Sequence, residues 1–359
     1  MSEALTVLLP TYGRNDFLER QLAHLVRHPL PVSSVIIADD NPEEQRAENA
    51  ALVARFSNDI PLRHLVFKER LSLIEKLALG MDAVDSPLVL VGSDDDFFVP
   101  ETVAENVRVM EEDASVSAAL GRAAWFTFAG HEVYGDITLS KTYRQRPVDG
   151  ASAGARLIAN LDHYSTCWYS VQRTDACRQR WHTAVADGLD VLFAELLTSC
   201  MTAVDGRIHC SDQLFMVRQG DLSKDYFMAS PADLFAEEEF SARYRRWRDR
   251  LTAHVCAKEG GDEDAVKAEV GQAFLVFIRT SLLRWVSSPI LESQQAEATG
   301  WRRFLRGSGG LGVSQVAPDK NDPCRLENVR NTGNPFYKAF AAVEDTVGRA
   351  PATGTEGDG

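Results

Sequence analysis

Three consecutive carboxylates, Asp94-Asp95-Asp96, follow the apolar run Leu88-Val89-Leu90-Val91 and the pair Gly92-Ser93. Carboxylates set at the end of a buried strand are costly if unpaired. A helix cap accounts for one of them, and Asp96, before Phe97-Phe98-Val99-Pro100-Glu101, suits that role. It does not account for three. Hard divalent ions such as Mg2+ and Mn2+ favour carboxylate oxygen and keep positions open for phosphate, so the cluster reads as a metal–diphosphate site. A second acidic strand end, Asp39-Asp40-Asn41-Pro42, follows Val35-Ile36-Ile37-Ala38. A carboxylate there can accept the imide N–H of uracil or thymine, or a ribose hydroxyl. The alternative is a plain Asx turn before Pro42.

The elements that must position these residues alternate in type. Leu5-Thr6-Val7-Leu8-Leu9 is a short apolar run stopped by Pro10, and Phe17, Leu18, Leu22, Leu25 and Val26 then recur at helical spacing. The strand Val35 to Ala38 precedes a helix over 43–55. The strand Leu65-Val66-Phe67 precedes a helix marked by Leu71, Ile74, Leu77, Ala78 and Met81, and Leu88 to Val91 is the fourth strand. Such alternation argues for an α/β fold with a mostly parallel sheet covered on both faces. Ligands of these sheets bind beyond the carboxyl ends of the strands. Thr11-Tyr12-Gly13-Arg14, Asp39-Asp40-Asn41 and Ser93 to Asp96 should therefore share one edge. Further on, a helix follows Pro100, and residues 118–150 look irregular, with aromatic strand fragments such as Trp125-Phe126-Thr127-Phe128. A short helix spans 155–161, Cys167-Trp168-Tyr169-Ser170-Val171 reads as a strand, and 189–201 is a strongly apolar helix ended at Gly206. Leu214 to Val217 is a late strand, and charged helices over 233–257 and 266–286 come after it. Gly307-Ser308-Gly309-Gly310 reads as a linker. The domain reading is an α/β unit at 1–230, a helical C-terminal appendage at 231–345 and a tail at 346–359 without packing residues after Pro351.

Composition narrows the partners. The 359 residues carry a formal charge of −14, which disfavours nucleic acid. The run Arg243, Arg245, Arg246, Arg248, Arg250 is the one candidate basic patch, and a solvated helix face is its ordinary reading. Apolar runs are shorter than the roughly 20 residues that span a bilayer, and Met1-Ser2-Glu3 leads almost directly into a strand without a signal-peptide pattern, so a cytoplasmic protein is expected. Cys167, Cys177, Cys200, Cys210, Cys256 and Cys324 form no CxxC pair and read as free thiols.

Taken in order, Leu8-Leu9-Pro10-Thr11-Tyr12-Gly13-Arg14, Val35 to Asn41 and Ser93 to Pro100 resemble the opening loop, second strand end and DxD-type motif of family 2-type glycosyltransferases with the GT-A fold. The resemblance covers residues 4–220. It implies a GT-A-like (Rossmann-like) sheet and a nucleoside diphosphate sugar donor. Asp39 would contact the base, Thr11, Tyr12 and Arg14 would line the nucleotide pocket, and Asp94 would sit near the ribose. Asp95, then Asp96, would hold Mn2+ or Mg2+. The triplet registers on the motif in two ways, as Asp94 with Asp96 or as Asp94 with Asp95. Lys76 would lie near the nucleotide or diphosphate, although a solvated helix lysine is as good a reading. The family's general base opens a late helix that closes eleven residues on at a Gly-Lys-like turn, and Glu195 stands eleven residues before Gly206-Arg207. Here the usual Glu-Asp pair is Ala194-Glu195, and Asp190 is the competing base. Inversion is the family's expectation. Arg218 would meet a phosphate, within Arg218-Gln219-Gly220-Asp221. His163 and Trp168 are candidates for an acceptor pocket, with a core role the commoner outcome for Trp168, and His209 reads as a satisfied core histidine. The acceptor, a hydroxyl or an amine, is not specified. The C-terminal helices would cover it or form a homodimer interface.

Two other functions fit parts of the pattern. A sugar-nucleotide nucleotidyltransferase would want a glycine-rich basic loop after the first strand, where only Gly13 and Arg14 stand. A Mg-binding receiver-like signalling module would begin at the strand before Asp39-Asp40, and would leave residues 5–30 unexplained.

Overall fold

The computed structural model describes residues 4–128, 133–143, 145–162, 164–220, 237–282 and 320–348. His163, Asp221, the 307–310 linker and the tail beyond Gly348 lie outside the described residues.

Four parallel strands, β1 (Leu5–Thr11), β2 (Ser34–Asp39), β3 (Leu62–Val66) and β4 (Leu88–Val91), form one half of a mixed sheet in the order β3-β2-β1-β4. The helices α1 (Asn15–Arg27), α2 (Glu43–Phe56) and α3 (Leu73–Asp82) connect them. The sheet continues through β8 (Val171–Arg173), β6 (Val116–Thr127), β9 (Arg207–Gln219) and β5 (Asp96–Phe98), with β7 (Leu139–Tyr143) hung on β6. In this second half the β6–β9 pair is parallel and the other pairings are antiparallel.

The first strand does not stop at Pro10. Leu8 gives its carbonyl to Gly92 N at 2.9 Å on the β4 side, and Pro10, two residues on, faces the same side after β4 has ended. Its missing N–H therefore breaks no ladder. The supposedly irregular 118–150 region holds the longest central pairing of the sheet. Ala118, Ala119, Ala123 and Ala124 of β6 are fully buried, and alanine's poor strand preference hides the strand from a propensity reading. Gly121 stands there because a Cβ would lie 2.7 Å from Gln213 O. The predicted strand at 167–171 is displaced to Val171–Arg173. Residues 167–170 form a bend, with Ser170 Oγ donating to Cys167 O at 2.5 Å.

Several helices were not expected, or were expected with other limits. α6 (Thr174–Ala186) buries Cys177, Arg180, Trp181 and Ala184 at helical spacing, and the arginine within that stripe conceals it. α7 (Val191–Asp205) is buried nearly throughout. α8 (Phe240–Glu259) and α9 (Glu263–Phe277), the latter running into a π-helical turn at Ile278–Leu282, pack against α5 (Ala153–Leu161) and α7. Trp247, Leu251, Val270 and Phe274 share one apolar core with Leu8, Ile36, Leu77 and Phe193. α10 (Leu326–Val329) and α11 (Tyr337–Val347) join a separate cluster with Phe97 and Phe126. α11 runs through Thr346 and Val347, both buried, and Thr346 Oγ1 lies 2.8 Å from His24 Nδ1 of α1. The start of α4 (Pro100–Glu112), with Pro100 in its first turn, completes the frame around β5.

Candidate active site

The parallel strands β1, β2 and β4 end at one edge, and the polar loops that follow them interlock. Gly13 takes a left-handed φ of 67°, open to glycine at no steric cost. It aims its N–H at Asn41 Oδ1, 2.5 Å away, which ties the first loop to the second. Thr11 Oγ1 donates to Asp94 Oδ2 at 3.0 Å. Arg14 forks across the acidic cluster, with Nη1 3.2 Å from Asp94 Oδ1 and Nη2 2.7 Å from Asp95 Oδ2, while its guanidinium lies 4.1 Å from the centre of the Phe17 ring. Asp95 also accepts from the Ser93 hydroxyl.

Asp96 is not at a helix entry. It is the first residue of β5, where it pairs in register with Arg218 of β9, and Val99 is the residue that precedes α4. Its Oδ1 accepts from Arg218 Nε at 3.2 Å, its backbone carbonyl from Gln21 Nε2 at 3.0 Å, and its Oδ2 is buried without a partner among the described residues. Burial pushes the Asp96 carboxyl up to about 7 against the opposing charge of Arg218. Burial also raises Asp94, with Arg14 pulling the other way. The three carboxylates are thus offset by two guanidinium groups from the chain itself. The charge expected of a metal ion is supplied in part by Arg14 and Arg218. A third cation, Arg20 of α1, is fully buried nearby between Phe17 and Phe97 and is pushed down to about 10 by burial.

The second strand end divides its labour. Asp39 has no exposed surface. Its Oδ1 accepts from Asn41 N and Nδ2 at 2.9 and 2.8 Å, and its Oδ2 from Asn49 Nδ2 at 3.0 Å, with His64 Nε2 2.9 Å away. Burial raises this carboxyl, but the bonds from His64, Asn41 and Asn49 outweigh it and bring it down to about 2. Both oxygens are engaged within the protein, which speaks against the expected base contact and against a receiver-like metal site. Asp40 pairs with Lys76 and with Arg70, Nη1 of the latter at 2.5 Å. Lys76 is buried and donates to Thr11 O at 2.8 Å, so the solvated-lysine reading is corrected. Tyr12 is exposed, and the Arg70 guanidinium stacks 3.4 Å from its ring centre. Arg70 was missed, although it follows the third strand end and the strand-edge argument applies to it equally.

Glu195 sits in the first half of α7, partly buried. Tyr164 OH donates to its Oε1 at 3.1 Å. Burial pushes its carboxyl up to about 7, against the pull of the Tyr164 hydrogen bond and the Arg218 charge. Tyr169 joins the two halves of the site. Arg218 stacks 4.3 Å from its ring centre, and its hydroxyl, raised by burial, lies within the fields of Arg218, Asp96, Asp95 and Glu195. No sequence signal marked either tyrosine. Asp190 is the N-cap of α7, accepting from Phe193 N at 2.8 Å and pairing with Arg243 Nη1 at 2.9 Å, so its carboxylate is already committed.

Trp168 is a core residue, its Nε1 2.8 Å from Thr198 Oγ1 and its ring 4.7 Å from that of Trp181. His209 is half-buried with Nε2 unpartnered among the described residues, unlike the satisfied core histidine expected. In the basic run, Arg243, Arg248 and Arg250 are paired with carboxylates, as on a solvated face. The six cysteines are free thiols, and no helix among the described residues is long and apolar enough to cross a membrane.

Residues 6–181 match the model of glycosyl transferase family 2. A comparison with curated protein sequences finds no match. Among solved structures, S. aureus TarS 1-349 in complex with UDP-GlcNAc is similar at 15% identity and a TM-score of 0.49, over 77% of this chain and 74% of that one. A mannosyltransferase from Pyrobaculum calidifontis in complex with GDP-Man and Mn2+ aligns at 13% identity and a TM-score of 0.43, over 86% of this chain and 80% of that one. A longer TarS chain aligns at 14% identity and a TM-score of 0.47 over 77% of this chain, which spans only 43% of its length. Through residues 6–181, which hold the interlocked strand ends and the acidic cluster, the chain belongs to glycosyl transferase family 2.

Proposed function

We propose that the chain transfers a sugar from a nucleoside diphosphate sugar to an acceptor hydroxyl or amine, with inversion at the anomeric carbon. The observation that carries this reading is the contrast between an acidic strand edge matched by arginines and one carboxylate, Glu195, bonded by a tyrosine hydroxyl and by no cation among the described residues; burial raises its carboxyl to about 7, as it does that of Asp96. That value leaves Glu195 able to accept a proton near neutral pH. Its Oε1 is held by Tyr164, and Oε2 is the oxygen left to take the proton from the acceptor. In the transfer, the bond from the anomeric carbon to the diphosphate oxygen breaks as the acceptor's bond forms. The acceptor's proton passes to Glu195, and the nucleoside diphosphate leaves.

Among the described residues no three His, Cys, Asp or Glu side chains converge as a ready metal cage. A hard ion can nonetheless be bound through one or two carboxylates, with donor phosphates and water completing its shell. Asp95 keeps some exposed surface, and Asp96 Oδ2 has no partner among the described residues, so these two would hold Mn2+ or Mg2+. The ion supplies charge neutralisation for the leaving diphosphate. Arg14 and Arg218 stand at the same carboxylates and are placed to exchange partners when a diphosphate arrives. Tyr12 and Arg70 offer a stacking surface to the base. The nucleotidyltransferase reading gains nothing, because the one glycine of the first loop turns its N–H into Asn41.

The test is a thermal-shift panel of UDP-, GDP- and TDP-sugars with and without Mn2+. One base should stabilise the protein, more so with Mn2+, and Asp95→Ala should remove the metal-dependent part. Metal-independent stabilisation, unchanged in Asp95→Ala, would defeat the site assignment.

A further inference from the structure

We infer that Tyr164 is the positioning residue of Glu195, and that the C-terminal helical region, through Phe277 of α9, holds that tyrosine in place. The inference rests on the reading of Glu195 as the base and adds the device that sets it.

Tyr164 lies just after α5, in the connection to β8, and reaches across to α7. Its hydroxyl is 3.1 Å from Glu195 Oε1, 3.2 Å from Ser199 Oγ and 3.4 Å from Glu195 O. It therefore spans one helical turn, between residues 195 and 199, and fixes the glutamate rotamer through Oε1. Ser199 is itself anchored, since its Oγ accepts from Cys167 N at 3.2 Å. The tyrosine ring is braced edge-on by Phe277, with centroids 5.4 Å apart and planes at 85°. Phe277 is the last residue of α9, just before the helix loosens into the π-helical turn Ile278–Leu282, and Thr280 Oγ1 of that turn donates to Leu161 O at 3.3 Å. Such turns recur at functional sites. A helix outside the family match, which ends at residue 181, thus bears on the side chain that orients the base.

The bond has a defined electrostatic sign. A hydroxyl that donates to a carboxylate favours its charged form, so Tyr164 opposes the burial that raises Glu195. The other titratable or charged groups whose fields reach Glu195 are Arg218 of β9, and Tyr169 and Cys167 of the bend before β8. None of these three donates a hydrogen bond to Glu195 among the described residues.

The experiment compares wild type, Tyr164→Phe, Phe277→Ala and Glu195→Gln. The Glu195 carboxyl is titrated directly by 13C NMR of glutamate-labelled protein, its resonance identified by its loss in Glu195→Gln. Turnover is followed as nucleoside diphosphate released from the nucleotide sugar that stabilises best, across pH with Mn2+. Tyr164→Phe should move the Glu195 midpoint, and with it the acidic limb of turnover, upward by about one pH unit. Activity should fall most at pH 6 to 7 and recover near pH 9, with donor binding unchanged. Phe277→Ala should move both midpoints in the same direction by less. A uniform loss with an unmoved Glu195 midpoint would overturn the inference. If instead Glu195→Gln still turns over, the base reading fails, while the NMR titration continues to test the Tyr164 bond by itself.

Discussion

The strand edge and the α7 face both carry buried or half-buried carboxylates, yet they treat them in opposite ways. At the strand edge each carboxylate has nitrogen partners. Asp94 and Asp95 have Arg14, Asp96 has Arg218, Asp40 has Lys76 and Arg70, and Asp39 has Asn41, Asn49 and His64. Glu195 has one tyrosine hydroxyl and a more distant arginine field. The difference separates two tasks. A site that receives an anionic diphosphate needs charge arranged beforehand, whereas a group that must take up a proton is useful only if its charge is poorly stabilised.

Substitution at Lys76 or Asp39 should therefore change stability with opposite sign to substitution at Glu195, whereas Asp94 and Asp96, raised by burial despite their arginines, do not follow this division. The largest effect is expected at Lys76, which shares a buried ion pair with Asp40. Lys76→Met should cost about 3 kcal/mol, measured by urea unfolding at pH 7, because breaking such a pair strands a buried charge. A change below the error of the fit would mean that Arg70 alone satisfies Asp40. Next comes Asp39, whose carboxyl is brought from its usual 3.8 down to about 2. A depressed folded value stabilises above the unfolded value and is lost as pH falls through the folded one. Asp39→Asn should thus destabilise by roughly 2 kcal/mol at pH 7, and the gap from wild type should close between pH 4 and 2. A gap constant with pH would show that packing, not charge, sets the loss.

Glu195 should behave in reverse. Its carboxyl is raised from 4.5 to about 7, so ionising it opposes folding above pH 4.5, increasingly up to about 7. Glu195→Gln should stabilise the protein at pH 8 by about 1–3 kcal/mol and have little effect at pH 4. Destabilisation at pH 8 would place Glu195 among the paired carboxylates instead. The smallest effect is expected at Asp190. Asp190→Ala should cost about 1 kcal/mol as a lost helix cap and leave turnover near wild type. A large fall in turnover at unchanged stability would restore Asp190 as the base.

The strand edge was legible in the sequence because its residues are clustered in the chain. Three polar loops follow three apolar runs, and parallel topology puts them together. The counter-ions were less so. Arg14 lies inside a quoted motif, but its fork onto Asp94 and Asp95 depends on the φ of Gly13 and on β1 continuing through Pro10. The α7 side was legible only by its spacing from Gly206. Tyr164, Tyr169 and Phe277 reach the site from separate elements, over distances in the chain that no local pattern records. Only the aromatic end of β6, Trp125-Phe126-Thr127, was legible; its alanine-rich first part escaped because alanine serves there as a strand residue, chosen for close packing rather than propensity.

The most direct test of the account is Glu195→Gln assayed for two properties at once, donor binding and release of nucleoside diphosphate. The account predicts that the variant binds the preferred nucleotide sugar with Mn2+ as wild type does, since Glu195 touches none of the strand-edge carboxylates. Release should fall at least about a hundredfold, the usual contribution of a general base. Release within a few-fold of wild type, or loss of donor binding, would contradict it.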